Sequence, residues 1–590
     1  MYGFYNQILT IDLTHETVKI DPLEDEVLKS CLGGKGLATF LLNKNNPTGV
    51  DPLSPENHLI FATGQFCQSP IWGSSRYGVY TKSPLTGGYA ESYSGGKVPE
   101  AIDSCGFDAI LITGRAKHPV VIGIHPEGAT IFPADHLWGK ETYDTEEQVI
   151  TEFALESKAY HKPGVVVIGP AGEKQVAFAL IANDKWRCAG RAGAGAVMGS
   201  KHLKAVVFQG DRKREMFQGE SLKAYCRTFS KDHAAHPAVK AYKSMGTTMM
   251  VSLMNSVGAF PSRYWSQGTC DHWESINGET FHKEHDVTPH ACAKCFMACG
   301  RMATISKGPH KGLKIEGPEY ETIYAFGGIC MVTDIAEIAF LNDLCDRLGL
   351  DTITTGNLCG FAMEAELRGI IHEGIQYKNT DSIADLIKKI AQRSGIGDLL
   401  ARGIIPTAKA WGLEDLAIHV KGMEPAGYDP RVLKGMGLTF GTSPRGACHL
   451  RTTFYKPELA GIIPPDTIIG KADLLVDYED RLNIFDTGVL CRFYRDFYPW
   501  EELEKLMFWV TGLKLNQKSL RKTAAAITDT TRSFNLREGL TPEQDRLPKR
   551  LHTEALPSGK AITTDEMELM LKDYYAARGW DKKGFPCVSA

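Results

Sequence analysis

Three cysteines lie close together near the middle of the chain, in the segment Cys292-Ala-Lys-Cys295-Phe-Met-Ala-Cys299. Thiolates at this C-x2-C-x3-C spacing are typical of one soft metal centre. A tetrahedral ion or a cubane cluster needs a fourth ligand, and Cys491 in Asp486-Thr-Gly-Val-Leu-Cys491 is the obvious remote donor. Three close cysteines and one remote cysteine favour a [4Fe–4S] cluster, while an all-cysteine zinc site and free thiols without a metal remain the alternatives.

The size and charge of the chain limit its class. It has 590 residues, of which 43% are hydrophobic, enough for about two to four domains with hydrophobic cores. The net charge is -4, and no basic stripe indicates nucleic-acid binding. We find no signal-peptide pattern and no apolar run long enough to span a bilayer. The 15 cysteines, an odd number scattered through the chain, indicate a reducing cytoplasm.

Hydrophobic patterning divides the chain into three predicted domains. Residues 1–212 contain short apolar runs bounded by Gly or Pro, which are typical of strands. Residues 213–424 show helical periodicity and contain the three close cysteines, and residues 425–590 combine loops and helices with the Asp486–Cys491 motif. Strands are predicted to begin at Gln7, Thr17, Leu59, Tyr77, Ala109, Val120 and Val165, the first two forming a hairpin.

One predicted helix has signals at both ends. Asp334 and Glu337 form a capping pattern at its start, and Gly349 marks its expected end. Apolar residues recur between them at helical spacing, namely Ile335, Ile338, Leu341, Leu344 and Leu348. Asp346 therefore lies in the last turn, where the helix dipole disfavours a negative charge. This position favours a ligand role for Asp346 over a solvated surface acid.

The glycine-rich stretch from Arg187 to Lys201 is a candidate binding loop. Its successive glycine amides, flanked by Arg187, Arg191 and Lys201, would suit a phosphorylated ligand. Its spacing fits neither a P-loop nor a dinucleotide-binding fingerprint. A series of tight turns remains the alternative.

Short motifs follow one another along nearly the whole chain in a specific order. They are Asp51–Asn57, Arg76–Tyr77, Thr81–Gly87, Ser94–Gly96, Gly169–Glu173, Gly190–Lys201, Cys292–Cys299, Glu316–Glu321, Asp346–Thr352, Tyr428–Arg431, Arg445–His449, Asp486–Cys491, Ser533–Gly539 and Leu547–Arg550. Each is weak alone, but together they resemble the tungsten-containing aldehyde:ferredoxin oxidoreductases. That family uses a remote fourth cysteine for a [4Fe–4S] cluster, so the resemblance favours the cluster over zinc.

The resemblance implies a fold and a set of cofactors. The expected fold is α+β, with an N-terminal β-rich, saddle-like pterin-binding domain followed by two mainly α-helical domains. The expected cofactors are a tungsten ion held by the dithiolenes of two pterins, Mg²⁺ bridging the pterin phosphates, and a [4Fe–4S] cluster. The cluster ligands would be Cys292, Cys295, Cys299 and Cys491. Molybdenum in place of tungsten stays open.

The resemblance also assigns cofactor contacts by position. The expected residues are Arg76, Tyr93, Gly95, Arg187, Cys188, Gly190, Arg191, Asp346, Leu350, Asp351, Pro444, Arg451, Asp486, Leu490 and Arg492. Carboxylates suit this role because a pterin edge offers N–H donors and a carboxylate only accepts. Tyr93 and Pro444 stand where the family has Asn, and Arg451 stands where it has Lys, which weakens the expected contacts there.

The implied reaction is oxidation of a small-molecule aldehyde to a carboxylic acid, with water as the oxygen source. Glu321 and His449 are the predicted acid/base pair, since a carboxylate can activate water and an imidazole can hydrogen-bond the substrate oxygen. Electrons would leave through the cluster to ferredoxin or to iron–sulfur and flavin subunits. Three alternatives remain: reduction of carboxylic acids, ring reduction as in a sister branch that lacks this Glu/His pair, and a zinc-stapled binding protein.

In the family's archetypal dimer, one iron ion bridges the two chains. An E-x-x-H pair on one helix binds this ion. The corresponding positions in this sequence are Phe340 and Asp343, on the helix that contains Asp346. Phe cannot ligate a metal, and one Asp per chain is a poor site for Fe²⁺. We therefore predict no bridging iron, so any homodimer would form by side-chain packing.

Overall fold

The computed structural model describes residues 1–157 and 159–587 and divides the chain into two compact units. The first unit comprises Met1–Lys240, Ala291–Ala298 and Asp480–Gly539. The second unit comprises Ala241–His290, Cys299–Glu479 and Leu540–Ala590. Both units are discontinuous in sequence, and the three-domain division at 212 and 424 stays a prediction.

Two six-stranded mixed sheets form the β-rich part of the first unit. The strands are β1 (Gln7–Asp12), β2 (Thr17–Pro22), β3 (Leu59–Ala62), β4 (Tyr77–Lys82), β5 (Tyr89–Ser94), β6 (Ala109–Thr113), β7 (Val120–His125), β8 (Gly128–Pro133), β9 (Gly164–Val167), β10 (Ile181–Asn183), β11 (Arg187–Ala189) and β12 (Leu203–Phe208). The strand orders are β2-β1-β6-β3-β4-β5 and β11-β10-β9-β12-β7-β8. The seven predicted strand starts match observed strands to within one residue, and β1 and β2 form the predicted antiparallel hairpin.

Alternation along the strands gives the first sheet two packed faces. Leu9 and Phe61 belong to one hydrophobic cluster, whereas Ile8 and Ile60 belong to a second cluster. Successive side chains of a strand point to opposite faces, so one short strand contributes to both cores. Hydrophobic clusters cover both faces of this sheet and so hold its strands rigidly. One of these strands, β5, carries part of the candidate site described below.

Helices are the main regular elements of the second unit, and the first unit has helices of its own, some of which pack on its sheets. They are α1 (Asp25–Cys31), α2 (Gly34–Asn45), α3 (Val98–Ser104), α4 (Thr142–Phe153), α5 (Pro170–Glu173), α6 (Ala194–Ser200), α7 (Gly219–His233), α8 (Pro237–Met245), α9 (Met249–Ser256), α10 (Trp273–Ile276), α11 (Gly278–Glu284), α12 (Tyr320–Ile323), α13 (Ile335–Leu348), α14 (Thr352–Leu367), α15 (Thr380–Gln392), α16 (Ile396–Leu400), α17 (Ile404–Trp411), α18 (Lys434–Thr442), α19 (Tyr455–Leu459), α20 (Lys471–Gly488), α21 (Trp500–Thr511), α22 (Gln517–Arg537), α23 (Lys549–Thr553) and α24 (Thr564–Arg578). The predicted α+β class is confirmed. None of the described helices is both long and apolar enough to cross a membrane.

Short elements complete the fold. Three strands of the second unit, β13 (Asp286–His290), β14 (Gly300–Thr304) and β15 (Lys314–Glu316), form an antiparallel sheet. The 3-10 turns are Asp135–Leu137, Gly246–Thr248, Arg492–Tyr494 and Pro542–Gln544, and a π-helical turn spans Tyr324–Ile329. The cysteine loop lies between β13 and β14.

The predicted limits of the helix containing Asp346 are confirmed. The Asp334 carboxylate accepts a hydrogen bond from the Ala336 amide at 2.8 Å and caps the start of α13. Gly349 ends the helix with φ +82°, a left-handed conformation that glycine adopts without steric cost. Local capping chemistry therefore fixes where Asp346 lies.

Candidate functional site

The cysteine loop and the Cys491 segment meet at Gly73 in the first unit. The Gly73 amide donates to the Lys294 carbonyl at 3.0 Å, and the Gly73 carbonyl accepts from the Cys491 amide at 2.8 Å. Gly73 has φ +83°, which favours glycine. Cys292, Cys295 and Cys491 belong to this unit, and Cys299 belongs to the second unit, next to β14.

Close packing around Cys292 explains the glycine at position 95. A Cβ atom on Gly95 would lie 2.9 Å from Cys292 Sγ and 3.7 Å from Arg76 Nη1. The Gly95 carbonyl accepts a hydrogen bond from the Asn183 side chain at 3.0 Å. Gly95 therefore lets the Cys292 sulfur approach the end of β5, whereas the distance to Arg76 would be an ordinary contact.

Burial and neighbouring cysteines change the pKa of the Cys295 thiol. Burial and the nearby Cys491 sulfur raise the pKa of Cys295 to about 11, and Cys292 adds to this effect. Metal binding would reverse it, because a metal stabilises thiolates and releases their protons. No three His, Cys, Asp or Glu side chains in residues 1–157 and 159–587 converge as ligands of one metal ion. A [4Fe–4S] cluster does not require such convergence, since each cysteine binds a different iron.

Arg76 connects the Cys491 sulfur to the backbone of β5. Its Nη1 lies 3.9 Å from Cys491 Sγ, and its Nη2 donates to the Tyr93 carbonyl at 3.4 Å. A guanidinium offers several donors in a fixed plane, so it can bridge two acceptors.

A buried network that sequence reasoning missed orients Tyr93. The Tyr93 hydroxyl donates to Glu91 Oε2 at 2.6 Å, and Lys35 Nζ lies 3.1 Å from Glu91 Oε1. Lys35 and Glu91 are 56 residues apart, so no local spacing could reveal the pair. The Arg492 guanidinium lies over the Tyr93 ring, 5.5 Å from its centroid.

The Asp486 motif is held by an ion pair at the end of α20. Arg492 Nη2 donates to Asp486 Oδ2 at 2.6 Å, and both side chains are buried. The buried Leu490 amide donates to the Phe485 carbonyl at 2.8 Å. Asp486 therefore has a cationic partner in the residue that directly follows its motif.

Strand β11 places Arg187 and Cys188 beside β10. Arg187 pairs with Asn183, whose side-chain oxygen accepts from the Ser94 hydroxyl at 2.6 Å. The following Gly190 is half-buried, and the Arg191 amide donates to the Ser92 hydroxyl at 3.2 Å. These predicted residues lie near the same end of β5 as Gly95. Asn183 carried no motif signal in the sequence.

The glycines after Arg191 serve close packing. A Cβ atom would clash with the Ala177 carbonyl at Gly193, with the Leu180 carbonyl at Gly195 and with the Gly172 carbonyl at Gly199. At Gly190 the one contact among the described residues would be with the Cys188 sulfur, at 3.3 Å. The stretch is thus largely a packing element, and Gly190 remains as its candidate ligand-facing glycine.

The environment of Lys201 does not fit the predicted role as a contact of a phosphorylated ligand. Its side chain is fully buried, and Nζ donates to the Pro55 carbonyl at 3.0 Å and to the Gly114 carbonyl at 3.4 Å. Burial, with the nearby Arg115 charge, lowers the pKa of Lys201 from 10.5 to about 7. Although Lys201 follows the glycine stretch in the chain, its ammonium group contacts backbone carbonyls in the interior of the first unit.

Replacement of Lys201 by Met should change how stability depends on pH. The Lys201 pKa is about 7 in the folded chain and near 10.5 when unperturbed, so the unfolded chain binds more protons between these values. Wild-type stability should therefore gain up to about 1.4 kcal/mol per pH unit from this group as the pH rises. Urea unfolding at about pH 7, 8 and 9 should show this gain only with Lys201 present. Parallel pH profiles for wild type and variant would contradict the assignment.

The second unit carries the other predicted carboxylates. Asp346 is buried and accepts a hydrogen bond from Asn342 at 2.7 Å. Burial, and next the neighbouring Asp343, raise the pKa of Asp346 well above its usual range. Asp351 caps α14 by accepting from the Ile353 amide at 3.1 Å, and it also accepts from the Thr354 hydroxyl at 2.8 Å. Leu350, which precedes Asp351 in the chain, is fully buried.

The predicted acid/base pair is brought together within the second unit. His449 Nε2 lies 3.4 Å from Glu321 Oε1, and the Gly427 amide donates to Glu321 Oε2 at 3.0 Å. Glu321 lies in the first turn of α12, and His449 follows α18 after a short loop. A carboxylate and an imidazole at this distance can transfer a proton between them and to a substrate.

Tyrosine rings pack beside His449 and restrict the orientation of its imidazole, which the sequence did not indicate. The Tyr428 ring centroid lies 5.5 Å from that of His449, and Tyr428 stacks on Tyr455 at 4.3 Å. Arg451 is buried in the turn before α19, and Pro444 is half-buried just after α18. The sequence motifs include Tyr428 and His449, but only the fold shows that their rings are in contact.

Two models of the same protein family match successive parts of this chain. The model "Aldehyde ferredoxin oxidoreductase, N-terminal domain" matches residues 8–210. The model "Aldehyde ferredoxin oxidoreductase, domains 2 & 3" matches residues 224–589.

Individual relatives match over nearly their full lengths. The tungsten-containing aldehyde ferredoxin oxidoreductase of Pyrococcus furiosus is 35% identical, over 99% of this chain and 97% of the relative. The aliphatic sulfonate oxidoreductase, WOR-like subunit, of the same organism is 28% identical, over 99% of this chain and 96% of the relative. The solved active site complex BamBC of benzoyl coenzyme A reductase, bound to 1,5-dienoyl-CoA, shares the fold. Its TM-score is 0.84 at 23% identity, covering 99% of this chain and 96% of that chain. This chain belongs to the aldehyde ferredoxin oxidoreductase family.

Proposed function

We propose that this chain oxidises aldehydes to carboxylic acids at a tungsten bis-pterin centre. Electrons would pass through a [4Fe–4S] cluster to ferredoxin or to a partner iron–sulfur or flavin subunit. Family membership supports the class of reaction, and the relatives named for aldehyde oxidation match over almost the whole chain. When bound, the tungsten centre supplies Lewis acidity and accepts two electrons.

The Glu321–His449 pair is the observation that carries this proposal. Glu321 can accept a proton from water, and the Gly427 amide orients its other oxygen. His449 can hydrogen-bond a substrate carbonyl oxygen, and the Tyr428 ring restricts its rotation. His449 is buried and Glu321 is half-buried, which limits access of bulk water, so proton transfer would occur between positioned groups.

The residues of the first unit fit the proposed cofactors. Cys292, Cys295 and Cys491 would hold the cluster with Cys299, the next cysteine of the same short motif. The cofactor contacts proposed here are Arg76, Tyr93, Gly95, Arg187, Cys188, Gly190, Arg191, Asp486, Leu490 and Arg492. Hydrogen bonds fix the orientation of several of these side chains, as a preorganised site requires.

In the second unit we propose Asp346, Leu350 and Asp351, with Pro444 and Arg451, as further cofactor contacts. Asp346 is buried, and N–H donors from a bound pterin would stabilise its ionised form and so counteract the rise in pKa that burial causes. Asp351 already caps α14, so it would contribute with its remaining acceptor capacity. The proposed Mg²⁺ between the pterin phosphates rests on the resemblance alone.

We also propose that a homodimer, if one forms, contains no bridging iron. The Phe340 ring stacks on His310 with centroids 4.3 Å apart. Asp343 Oδ2 accepts from Arg347 Nε at 2.7 Å. Phe340 and Asp343, which stand where the family has its iron ligands, thus make contacts within the second unit, and these contacts support packing roles for both residues.

An aldehyde oxidation assay tests the proposed reaction. Purified protein carrying tungsten and iron should reduce a low-potential viologen dye when aliphatic or aromatic aldehydes are supplied, and should form the matching acids. Assays with carboxylic acids and reduced dye would reveal the reverse reaction, which uses the same residues. If metal-loaded protein oxidised no aldehyde in a broad panel, the proposed function would be wrong.

A further inference from the structure

The Tyr494 hydroxyl contacts a proposed cluster ligand. It donates a hydrogen bond to Cys295 Sγ at 3.5 Å and accepts one from the Phe296 amide at 3.2 Å. A phenol has one proton to donate, and the incoming amide occupies an oxygen lone pair. The hydroxyl proton is therefore directed at the sulfur.

The Tyr494 ring is held rigidly in this position. It is fully buried, and a Cβ atom on Gly73 would clash with the ring face at 2.5 Å. Phe296 packs edge-on against the ring at 5.2 Å, and Tyr498 stacks beside it at 6.0 Å. The Tyr494 amide also donates to the Cys491 carbonyl at 3.0 Å. One short turn thus supplies both a proposed ligand and a donor to another ligand.

We propose that Tyr494 is a positioning residue whose hydrogen bond to Cys295 raises the reduction potential of the [4Fe–4S] cluster. This inference rests on the proposed function, which places the cluster on Cys295. Reduction adds negative charge that the cluster shares with its thiolate ligands, so a donor to a ligand sulfur stabilises the reduced state more than the oxidised state. Arg76, at 3.9 Å from Cys491 Sγ, is a more distant donor.

Replacement of Tyr494 by Phe tests the proposal because it removes the hydroxyl and keeps the packed ring. The matched control is Tyr498→Phe, which removes a hydroxyl that donates to the Trp72 carbonyl at 3.0 Å in the same aromatic group. An EPR-monitored redox titration of the purified, cluster-containing proteins measures the midpoint potential without turnover. At the wild-type midpoint, Tyr494→Phe should shift the ratio of oxidised to reduced cluster by about threefold to tenfold towards oxidised. Tyr498→Phe should leave the ratio unchanged.

The possible outcomes separate this inference from the proposed function. A wild-type protein without a four-iron cluster would overturn both. A wild-type cluster whose midpoint is the same in Tyr494→Phe would overturn only the inference. Loss of the cluster in Tyr494→Phe alone would also overturn it, because the hydroxyl would then be needed for assembly. Equal shifts in both variants would show a general packing effect and likewise overturn the specific role of Tyr494.

Discussion

Replacement of Glu321 by Gln is expected to lower aldehyde turnover on the order of 10²-fold or more while tungsten and iron contents stay unchanged. The side-chain amide of the variant cannot take up a proton, so the substitution removes the proposed base. The amide oxygen can still accept from the Gly427 amide, which donates to Glu321 at 3.0 Å, so the local fold should persist. Dye-linked steady-state kinetics and metal analysis on the same preparation measure both properties.

Glu319→Gln provides the matched control for this result. Glu319 lies two residues earlier in the same motif and accepts a hydrogen bond from the Thr247 hydroxyl. A glutamine there can still accept this bond, so turnover should change by only a few-fold. If Glu321→Gln retained near wild-type turnover, Glu321 would have a structural role and the proposed mechanism would be wrong.

Replacement of Cys491 by Ala is expected to remove or degrade the cluster signal in EPR spectra of the reduced protein. The variant lacks one of the four proposed thiolate ligands, and alanine offers no substitute donor. The backbone hydrogen bond from residue 491 to the Gly73 carbonyl does not depend on the side chain, so the segment should keep its path.

Cys226→Ala is a suitable comparison for the cluster experiment. Cys226 is another buried cysteine of the first unit, and its backbone carbonyl accepts from the Trp72 indole at 2.9 Å. Its removal should affect packing on α7 and leave the iron content intact. A full four-iron signal in Cys491→Ala would show that the remote fourth ligand was assigned wrongly.

Local sequence signals predicted the regular elements well. The hairpin of β1 and β2 follows from alternation, and the limits of α13 follow from Asp334 and Gly349. These features depend on residues a few positions apart, so periodicity and capping chemistry are enough to find them. The motif order also indicated that Glu321 and His449 would act together, although 128 positions separate them in the chain.

Contacts between distant segments could not be predicted from spacing. The Tyr494 hydroxyl meets Cys295 across 199 residues, and Lys35 meets Glu91 across 56. For Lys201 the local pattern was misleading. A lysine beside glycines suggested a phosphate contact, but its side chain is buried and donates to backbone carbonyls. Burial depends on how the sheets assemble, and the local pattern of residues does not contain that information.

Metal analysis of the purified protein is the most direct test of the central claim. Mass spectrometry of metals should find tungsten, or molybdenum in its place, near one atom per chain. Iron should be near four atoms per chain, as a single [4Fe–4S] cluster requires. An excess of about half an iron per chain would argue for a bridging ion and against the packing roles of Phe340 and Asp343. Zinc in place of iron, with neither tungsten nor molybdenum present, would contradict the proposed oxidoreductase.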